Sequence, residues 1–253
     1  MRSILAIATA IFAVSCSTCR AQPLLEPELR LSILPNLAPR VALTFDACSG
    51  KIDERILQTL ISNKISATIF VTARWIKRNP QAIAEIKANA DLFEIENHGA
   101  KHLPIIDFPI KVFGLEAAGS TEAVRAEIEG GAKAIETAFG SRPKWFRGAT
   151  GLYSTSSEKT IANMDYKLAG YSVHGDGGAS FSTRRTANTF SAAKDGDVII
   201  AHINQPSKPA GAGVVEGILK LKAVGFTFVK LQDGFEQLSP QINICNRCAD
   251  SAH

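Results

Sequence analysis

The stretch VALTFDACSG (residues 41–50) is an apolar, β-branched run that ends abruptly on a carboxylate, Asp46. Ala47, Cys48 and a Ser-Gly turn follow it. A continuous apolar run of this length is typical of a strand whose two faces are both covered, as in a parallel sheet. Because functional groups of such sheets lie at the carboxyl ends of the strands, Asp46 is a candidate site residue as well as a turn residue.

Six more short apolar runs follow this one, and helical patterns separate most of them. The strand candidates are residues 41–46, 67–72, 92–97, 144–147, 167–173, 197–203 and 226–231. The helix candidates are residues 53–62, 80–90, 121–139, 156–164, 186–193 and 214–224. Asn79 before Pro80 predicts a helix start, and Gly140 predicts a helix end. The alternation predicts an α/β fold of βα units in a single domain, either as a barrel or as an open doubly wound sheet.

The first 21 residues have the pattern of a secretory signal peptide, with a basic end, an apolar core over residues 4–14 and a small-residue cleavage site. The core is too short to span a bilayer. Residues 13–16 also loosely resemble a lipoprotein cleavage box, which would anchor the protein through Cys16, but the usual leucine is missing. We therefore expect an exported protein, periplasmic or secreted, and rank the lipid anchor second. The predicted organisation is a signal peptide (1–21), an N-terminal lead (22–40), a catalytic domain (41–235) and a C-terminal tail (236–253).

Charge and cysteine content restrict the partners. The net charge is +4, and it falls to +2 when Arg2 and Arg20 leave with the signal peptide, which contains no acidic residue. No basic run interrupts the chain, so nucleic acid is not an expected partner. We expect a monomer with no transmembrane helix after cleavage. Cys245 and Cys248 in the tail could form a small disulfide loop in an oxidising compartment, since no second pair completes a zinc site with them. Cys48 remains over.

Polar residues collect at the ends of the predicted strands. His98 and His102 follow the third strand, and their spacing would place both imidazoles on one face of a helical turn, where they could share a metal or form a chance solvated pair. Arg147 ends the fourth strand, and we expect it to pair with Asp46 in a bidentate manner. His202 ends the sixth, as either a buried structural histidine or a proton donor at the rim.

Five motifs occur together in this order: TFDACSG, NHGAKH, RGATG, HGDGG and IIAHIN. Over residues 41–231 they resemble the motifs of the polysaccharide deacetylases, carbohydrate esterase family 4, also called the NodB homology domain. The resemblance implies a single-domain, distorted (β/α)7 barrel with a divalent metal, usually zinc, in an open groove. It also implies that groove loops such as 106–119 and 150–156 select the substrate.

The resemblance further implies roles for individual residues. Asp46 would be the general base, oriented by Arg147, and His202 the general acid. His98 and His102 would bind the metal. The implied reaction is hydrolysis of N-acetyl groups on an acetylated oligo- or polysaccharide that contains amino sugars, as in a polysaccharide (N-acetylglucosamine) deacetylase.

Two positions depart from the family pattern. The family places a second acid, its third metal ligand, directly after the base, and here that position is Ala47. The metal could then be held by the two histidines with Asp46 or water, or by Cys48 as a thiolate, or it could be absent in an inactive glycan-binding relative. The fourth motif offers Asp176, offset by one place, as the acid that would tune His202. Because Asp46, Arg147 and His202 are all present, an active enzyme is the preferred interpretation.

Overall fold

The structure is a computed structural model that describes residues 23–234 and, for the backbone alone, 236–239. The predicted signal peptide, with Cys16, and the pair Cys245 and Cys248 lie outside the described residues. Within residues 23–234, no helix is long and apolar enough to cross a membrane.

The described part of the chain contains fourteen strands and seven helices. The strands are β1 (Glu28–Leu31), β2 (Arg40–Ala47), β3 (Ala67–Val71), β4 (Phe93–Asn97), β5 (Pro104–Ile105), β6 (Lys111–Val112), β7 (Leu115–Glu116), β8 (Trp145–Phe146), β9 (Ala149–Tyr153), β10 (Lys167–Leu168), β11 (Val173–His174), β12 (Asp197–His202), β13 (Thr227–Val229) and β14 (Glu236–Ser239). The helices are α1 (Glu54–Ser62), α2 (Ala73–Arg78), α3 (Pro80–Ala88), α4 (Thr121–Phe139), α5 (Thr155–Asn163), α6 (Thr183–Ser191) and α7 (Ala210–Ala223).

Seven parallel strands form a curled main sheet in the order β10-β8-β4-β3-β2-β12-β11. The pairing follows the chain outward from β2 on one side, and it leaves the ring open between β10 and β11 among the described strands. This is the predicted α/β fold, a distorted (β/α)7 barrel. Strand β13 pairs with the beginning of β2. Strands β1 and β14, from the predicted lead and the predicted tail, extend the same sheet in an antiparallel manner.

The side chains of strand β2 alternate between the outer apolar layer and the inside of the barrel. Phe45 and Ala47 are fully buried in the apolar cluster beneath α1 and α7, which also contains Leu57 and Ile218. The residues between them point to the other face of the sheet, because side chains alternate along a strand. Asp46 therefore points into the barrel, at the end of its strand.

Some element boundaries differ from the sequence prediction. The predicted strand 167–173 is wrong as a single element, because β10 and β11 are separate strands. The carbonyl groups of Ala169 and Gly170 between them accept hydrogen bonds from the side chain of Arg147, at 3.2 and 3.0 Å, instead of from a neighbouring strand. Helix α2 is missing from the prediction. Its six residues are too few to show a helical period.

The predicted helix punctuation is partly confirmed. Gly140 ends α4 in the left-handed conformation, with a φ of 82°. Asn79 occupies the position before Pro80, but its side chain does not cap α3. It accepts a hydrogen bond from the amide of Ile52 at 3.1 Å and donates to the carbonyl of Gly50 at 3.1 Å. Asn79 thus holds the loop that follows β2 rather than its own helix.

Candidate active site

Asp46 and Arg147 form a buried ion pair inside the barrel. Nη1 of Arg147 donates to Oδ1 of Asp46 at 3.0 Å and lies 3.0 Å from Oγ1 of Thr44. The expected bidentate pairing is wrong, because the other guanidinium nitrogens donate to the two backbone carbonyls that separate β10 from β11. The pairing therefore leaves Oδ2 of Asp46 without a hydrogen bond from Arg147.

The surroundings of Asp46 favour its ionised form. Burial alone would raise the pKa of this carboxyl group, but the charges of His98, Arg147 and His202 outweigh burial and lower the pKa below its ordinary value. A carboxylate that stays ionised is able to accept a proton. The geometry at Asp46 thus suits a base.

His98 and His102 come together through a loop. The structure contains no helical turn between them, and His102 has a positive φ of 65°. The ring centres lie 4.9 Å apart. Nδ1 of His98 lies 2.6 Å from the carbonyl oxygen of Arg147, to which it can donate, and its Nε2 lies 3.7 Å from Oδ2 of Asp46. The expected proximity of the two imidazoles is present, but the backbone conformation behind it is different.

Two buried residues that the sequence analysis missed support this loop. Oε1 of Glu127, on α4, accepts hydrogen bonds from the amides of Lys101 and Leu103 at 2.8 and 3.2 Å. Oδ1 of Asn97 accepts from the amide of Gly99 at 2.9 Å. The available signal for Glu127 was its place on the apolar face of a helix, where an acid needs a buried partner.

Cys48 lies beside both histidines. Its Sγ is 3.6 Å from Nε2 of His98, and the three ligand atoms of Cys48, His98 and His102 lie within 4.8 Å of one another, so they could hold a metal ion. Burial would raise the pKa of the thiol, but hydrogen bonds with His102, His202 and His98 outweigh it and lower the pKa well below its ordinary value. One sulfur and two imidazole nitrogens form a donor set that zinc prefers.

His202 is held by Asp176. Nδ1 of the imidazole lies 3.1 and 3.2 Å from the two carboxylate oxygens, and the backbone amide of His202 donates to Oδ2 at 2.7 Å. Burial would lower the pKa of His202, but Asp176 and Cys48 outweigh it and raise the pKa well above its ordinary value. The structure therefore brings the offset acid of the fourth motif to the histidine of the last one.

Asn204 is a third residue that the sequence analysis missed. With its amide oriented to satisfy its partners, it donates to the carbonyl of Asp46 at 3.1 Å and accepts from the amides of Ser49 and Gly50 at 3.2 Å. A side chain at position 50 would collide with the backbone of Asn204, since a Cβ there would lie 2.1 Å from its carbonyl oxygen. The close approach of these two segments requires glycine and shapes the turn that carries Cys48.

These side chains open into a cavity of about 480 Å³ at the carboxyl ends of the strands. Asp46, His102 and His202 line it. Its walls include Phe113, Leu115, Thr150, Gly151, Tyr171 and His174. Phe113 is 80% exposed and lies in the turn between β6 and β7. The cavity combines ionisable groups on one side with aromatic rings on the others.

A second cavity, of about 420 Å³, lies at the opposite end of β4, beside Glu94 and Glu96. Burial raises the pKa of Glu96 to about 8. Its carboxylate accepts the backbone amides of Lys144 and Trp145 at 2.8 and 2.7 Å, so it organises the start of β8. None of the seven residues selected from the sequence lines this cavity, and all seven lie at the other end of the barrel.

Comparisons with known proteins agree with this geometry. The family model described as polysaccharide deacetylase matches residues 35–169, just over half of the chain. A bifunctional xylanase/deacetylase from Pseudobutyrivibrio xylanivorans is 25% identical over 205 residues. The match covers 81% of this chain and 32% of the relative, so the chain spans about a third of the length of that protein.

Solved structures share the fold. An acetyl xylan esterase of family 4 from Clostridium thermocellum, in complex with cobalt, superposes with a TM-score of 0.61 and 25% identity, over 76% of this chain and 88% of that one. A family 4 pseudoenzyme from Bacillus anthracis superposes with a TM-score of 0.62 and 20% identity, over 80% and 66%. The motifs, the barrel and the family match lead to one conclusion: this chain belongs to the polysaccharide deacetylase family.

Proposed function

We propose that the protein is an exported, metal-dependent hydrolase that removes N-acetyl groups from amino-sugar glycans such as peptidoglycan, chitin-like oligosaccharides or envelope polysaccharides. One observation carries this proposal. Asp46 and His202 are register partners on the neighbouring parallel strands β2 and β12, and both line the same cavity. A carboxylate and an imidazole thus lie side by side, next to a group of side chains that could hold a metal, and this supports the roles of base and acid.

The residues of the site fit a zinc ion. Because Nδ1 of His98 is held by the carbonyl of Arg147, its Nε2 is left to bind a metal, an arrangement typical of metal-binding histidines. We propose that His98 and His102 are ligands. When bound, zinc supplies a water of lowered pKa and polarises a carbonyl group. The cobalt complex of the acetyl xylan esterase supports a divalent ion in this family.

In the proposed reaction, Asp46 takes a proton from the attacking water. Oδ1 is occupied by Arg147, so Oδ2 is the atom that receives the proton. Arg147 keeps the carboxylate ionised and prevents its rotation, because the guanidinium is itself held by three other oxygens. Proton transfer from a positioned water contributes about 10²–10⁴-fold to such reactions.

His202 protonates the departing nitrogen. Its Nδ1 is held by Asp176, which leaves Nε2 as the proton donor toward the substrate. An amine is a poor leaving group unless it is protonated, whereas the alcohol of an ester leaves more readily. The partly buried, carboxylate-bound imidazole therefore supports an amide substrate, the N-acetyl group.

The proposal is tested by acetate release from N-acetylglucosamine oligomers and from peptidoglycan. We expect release by the zinc-loaded protein, loss after treatment with a chelator and recovery when zinc is returned. Acetylated xylan serves as the ester control. If no acetylated glycan yields acetate with any divalent metal, the protein is not a deacetylase.

The second candidate function is that of an inactive glycan-binding protein. It is favoured by Ala47, which stands where the family has an acidic ligand, and a related fold belongs to a pseudoenzyme. This function predicts saturable oligosaccharide binding that neither chelator nor Asp46→Asn changes. Isothermal titration with and without chelator measures this binding. Acetate release separates the two functions, because only the enzyme releases acetate.

Asp176→Asn tests the acid. The substitution removes the negative charge that raises the pKa of His202, so this pKa falls. Since His202 must be protonated to act, the alkaline limb of the kcat/KM profile moves to lower pH, and kcat falls by up to the roughly 10²–10⁴-fold that acid catalysis contributes. The exposed Glu216→Gln on α7 is the control and should leave the profile unchanged. An unshifted alkaline limb in Asp176→Asn would assign the titration to another group.

A further inference from the structure

We infer that Cys48 is the third ligand of the metal, so that this chain builds a Cys-His-His centre where its family uses an acid at position 47. The inference rests on the proposed function, which places a metal on His98 and His102. It adds the ligand that Ala47 cannot supply.

The first observation that supports Cys48 as a ligand is the direction of the side chains at the end of β2. Ala47 is fully buried in the outer apolar layer with Phe45 and Val71, on the face turned away from the cavity. Asp46 points to the inner face because side chains alternate along β2, and Cys48, directly after the end of β2, lies with its Sγ 3.6 Å from Nε2 of His98. The methyl group of Ala47 lies among apolar side chains, whereas the thiol of Cys48 lies beside the histidines.

The distance between the ligand atoms carries the second step. In a tetrahedral zinc site, bond lengths of about 2.3 Å to sulfur and about 2.0–2.1 Å to nitrogen place these two atoms about 3.6 Å apart. Sγ of Cys48 and Nε2 of His98 are 3.6 Å apart. The position of Cys48 is already established by its backbone, because its carbonyl accepts a hydrogen bond from Oγ1 of Thr72.

Burial favours a ligand over a nucleophile. Cys48 is 7% exposed, and of the described residues those lining the cavity include Asp46, His102 and His202 but not Cys48. A nucleophile must reach the acetyl carbon, so it should line the cavity itself. A ligand must instead be held within reach of the metal and away from solvent.

Cobalt(II) bound to the full chain tests the inference without changing Cys48. The other four cysteines (Cys16, Cys19, Cys245 and Cys248) are replaced by serine, so that Cys48 is the only thiol. We expect one equivalent of cobalt and a near-ultraviolet charge-transfer band from thiolate to cobalt. We also expect Cys48→Ala to lose the band and to weaken binding by more than the roughly 10–100-fold typical of a lost outer-shell partner. Cys48→Asp should restore binding without the band.

The outcomes separate the inference from the proposed function. If the single-thiol protein binds one cobalt without the band, or if Cys48→Ala binds as tightly as its parent, Cys48 is not a ligand, while acetate release still supports the proposed function. If neither metal binding nor acetate release is found, both fail. An acetyl thioester on Cys48, detected by intact mass after incubation with substrate, would also overturn the inference. Thermal unfolding of the metal-free variants controls for folding.

Discussion

Asp46→Asn lowers kcat/KM for acetate release by about 10²–10⁴-fold, the contribution of a positioned base. Asparagine has nearly the same shape and still offers an oxygen to Nη1 of Arg147, but it is unable to accept a proton from water. Because the proposed metal ligands are Cys48, His98 and His102 and not Asp46, we expect the variant to retain its metal. Acetate release is measured at saturating zinc, together with metal content by mass spectrometry.

The matched control for this substitution is Asp233→Asn. Asp233 is an exposed acid that lies 3.5 Å from Lys230 and does not line the cavity. It should change kcat/KM by less than twofold, because it does not line the cavity. If Asp46→Asn is as active as this control, the proton acceptor is another residue.

Arg147→Met has the second large effect, and it acts on stability and catalysis together. Removing one partner of a buried ion pair destabilises a protein by about 3–5 kcal/mol, because the other charge is left buried. For a protein of this size each kcal/mol lowers Tm by roughly 2–4 °C. Losing the guanidinium also raises the pKa of Asp46, since Arg147 is one of the charges that lower it. The base must be ionised, so the acid limb of the kcat/KM profile moves to higher pH.

Arg142→Met provides the comparison, because Arg142 makes two hydrogen bonds to Glu129 on the surface. Its removal should cost no more than about 1 kcal/mol. Denaturant unfolding gives both free energies. The double variant Asp46→Asn/Arg147→Met should lose less stability than the two single variants together, because it leaves no charge behind. Simple additivity would mean that the two side chains do not interact as the structure shows.

Local sequence information predicted βα units in one domain and the residues at the strand ends, whereas the choice of a barrel over an open sheet came from the resemblance of the motifs to a family. Apolar runs gave β2, β3, β4, β8, β12 and β13, and one further run covered β10 and the start of β11 as a single element. The positions of Asp46, Arg147 and His202 at the ends of such runs placed them at one end of the sheet. Asp176 was a candidate partner of His202 only through the fourth motif, and it is the pairing of β11 with β12 that brings the two side chains together. These features depend on residues close together in the chain or on parallel pairing.

Other features depend on contacts that no local pattern encodes. The four hydrogen bonds of the Arg147 side chain go to β2 and to the segment between β10 and β11, so its monodentate contact with Asp46 was not predictable from a pair of motifs. The left-handed backbone at His102 is uncommon for a residue other than glycine, and support from Glu127 becomes visible only when α4 packs beside the loop. That Ala47 faces away from the cavity could be established only from the register of β2 in the sheet.

The hairpin of β6 and β7 lines the cavity but carries none of the proposed catalytic residues or metal ligands. Its turn, Phe113-Gly114, has positive φ at both residues, as a type I′ turn requires, and Val112 anchors it in an apolar cluster with Leu24, Ile106 and Leu152. The proposed base and acid, Asp46 and His202, lie on strands of the barrel. Phe113, the exposed ring of the cavity, lies instead on this hairpin. If the proposed function holds, we expect that grafting another sequence between residues 111 and 116 changes which acetylated glycan is accepted and leaves the release of acetate intact.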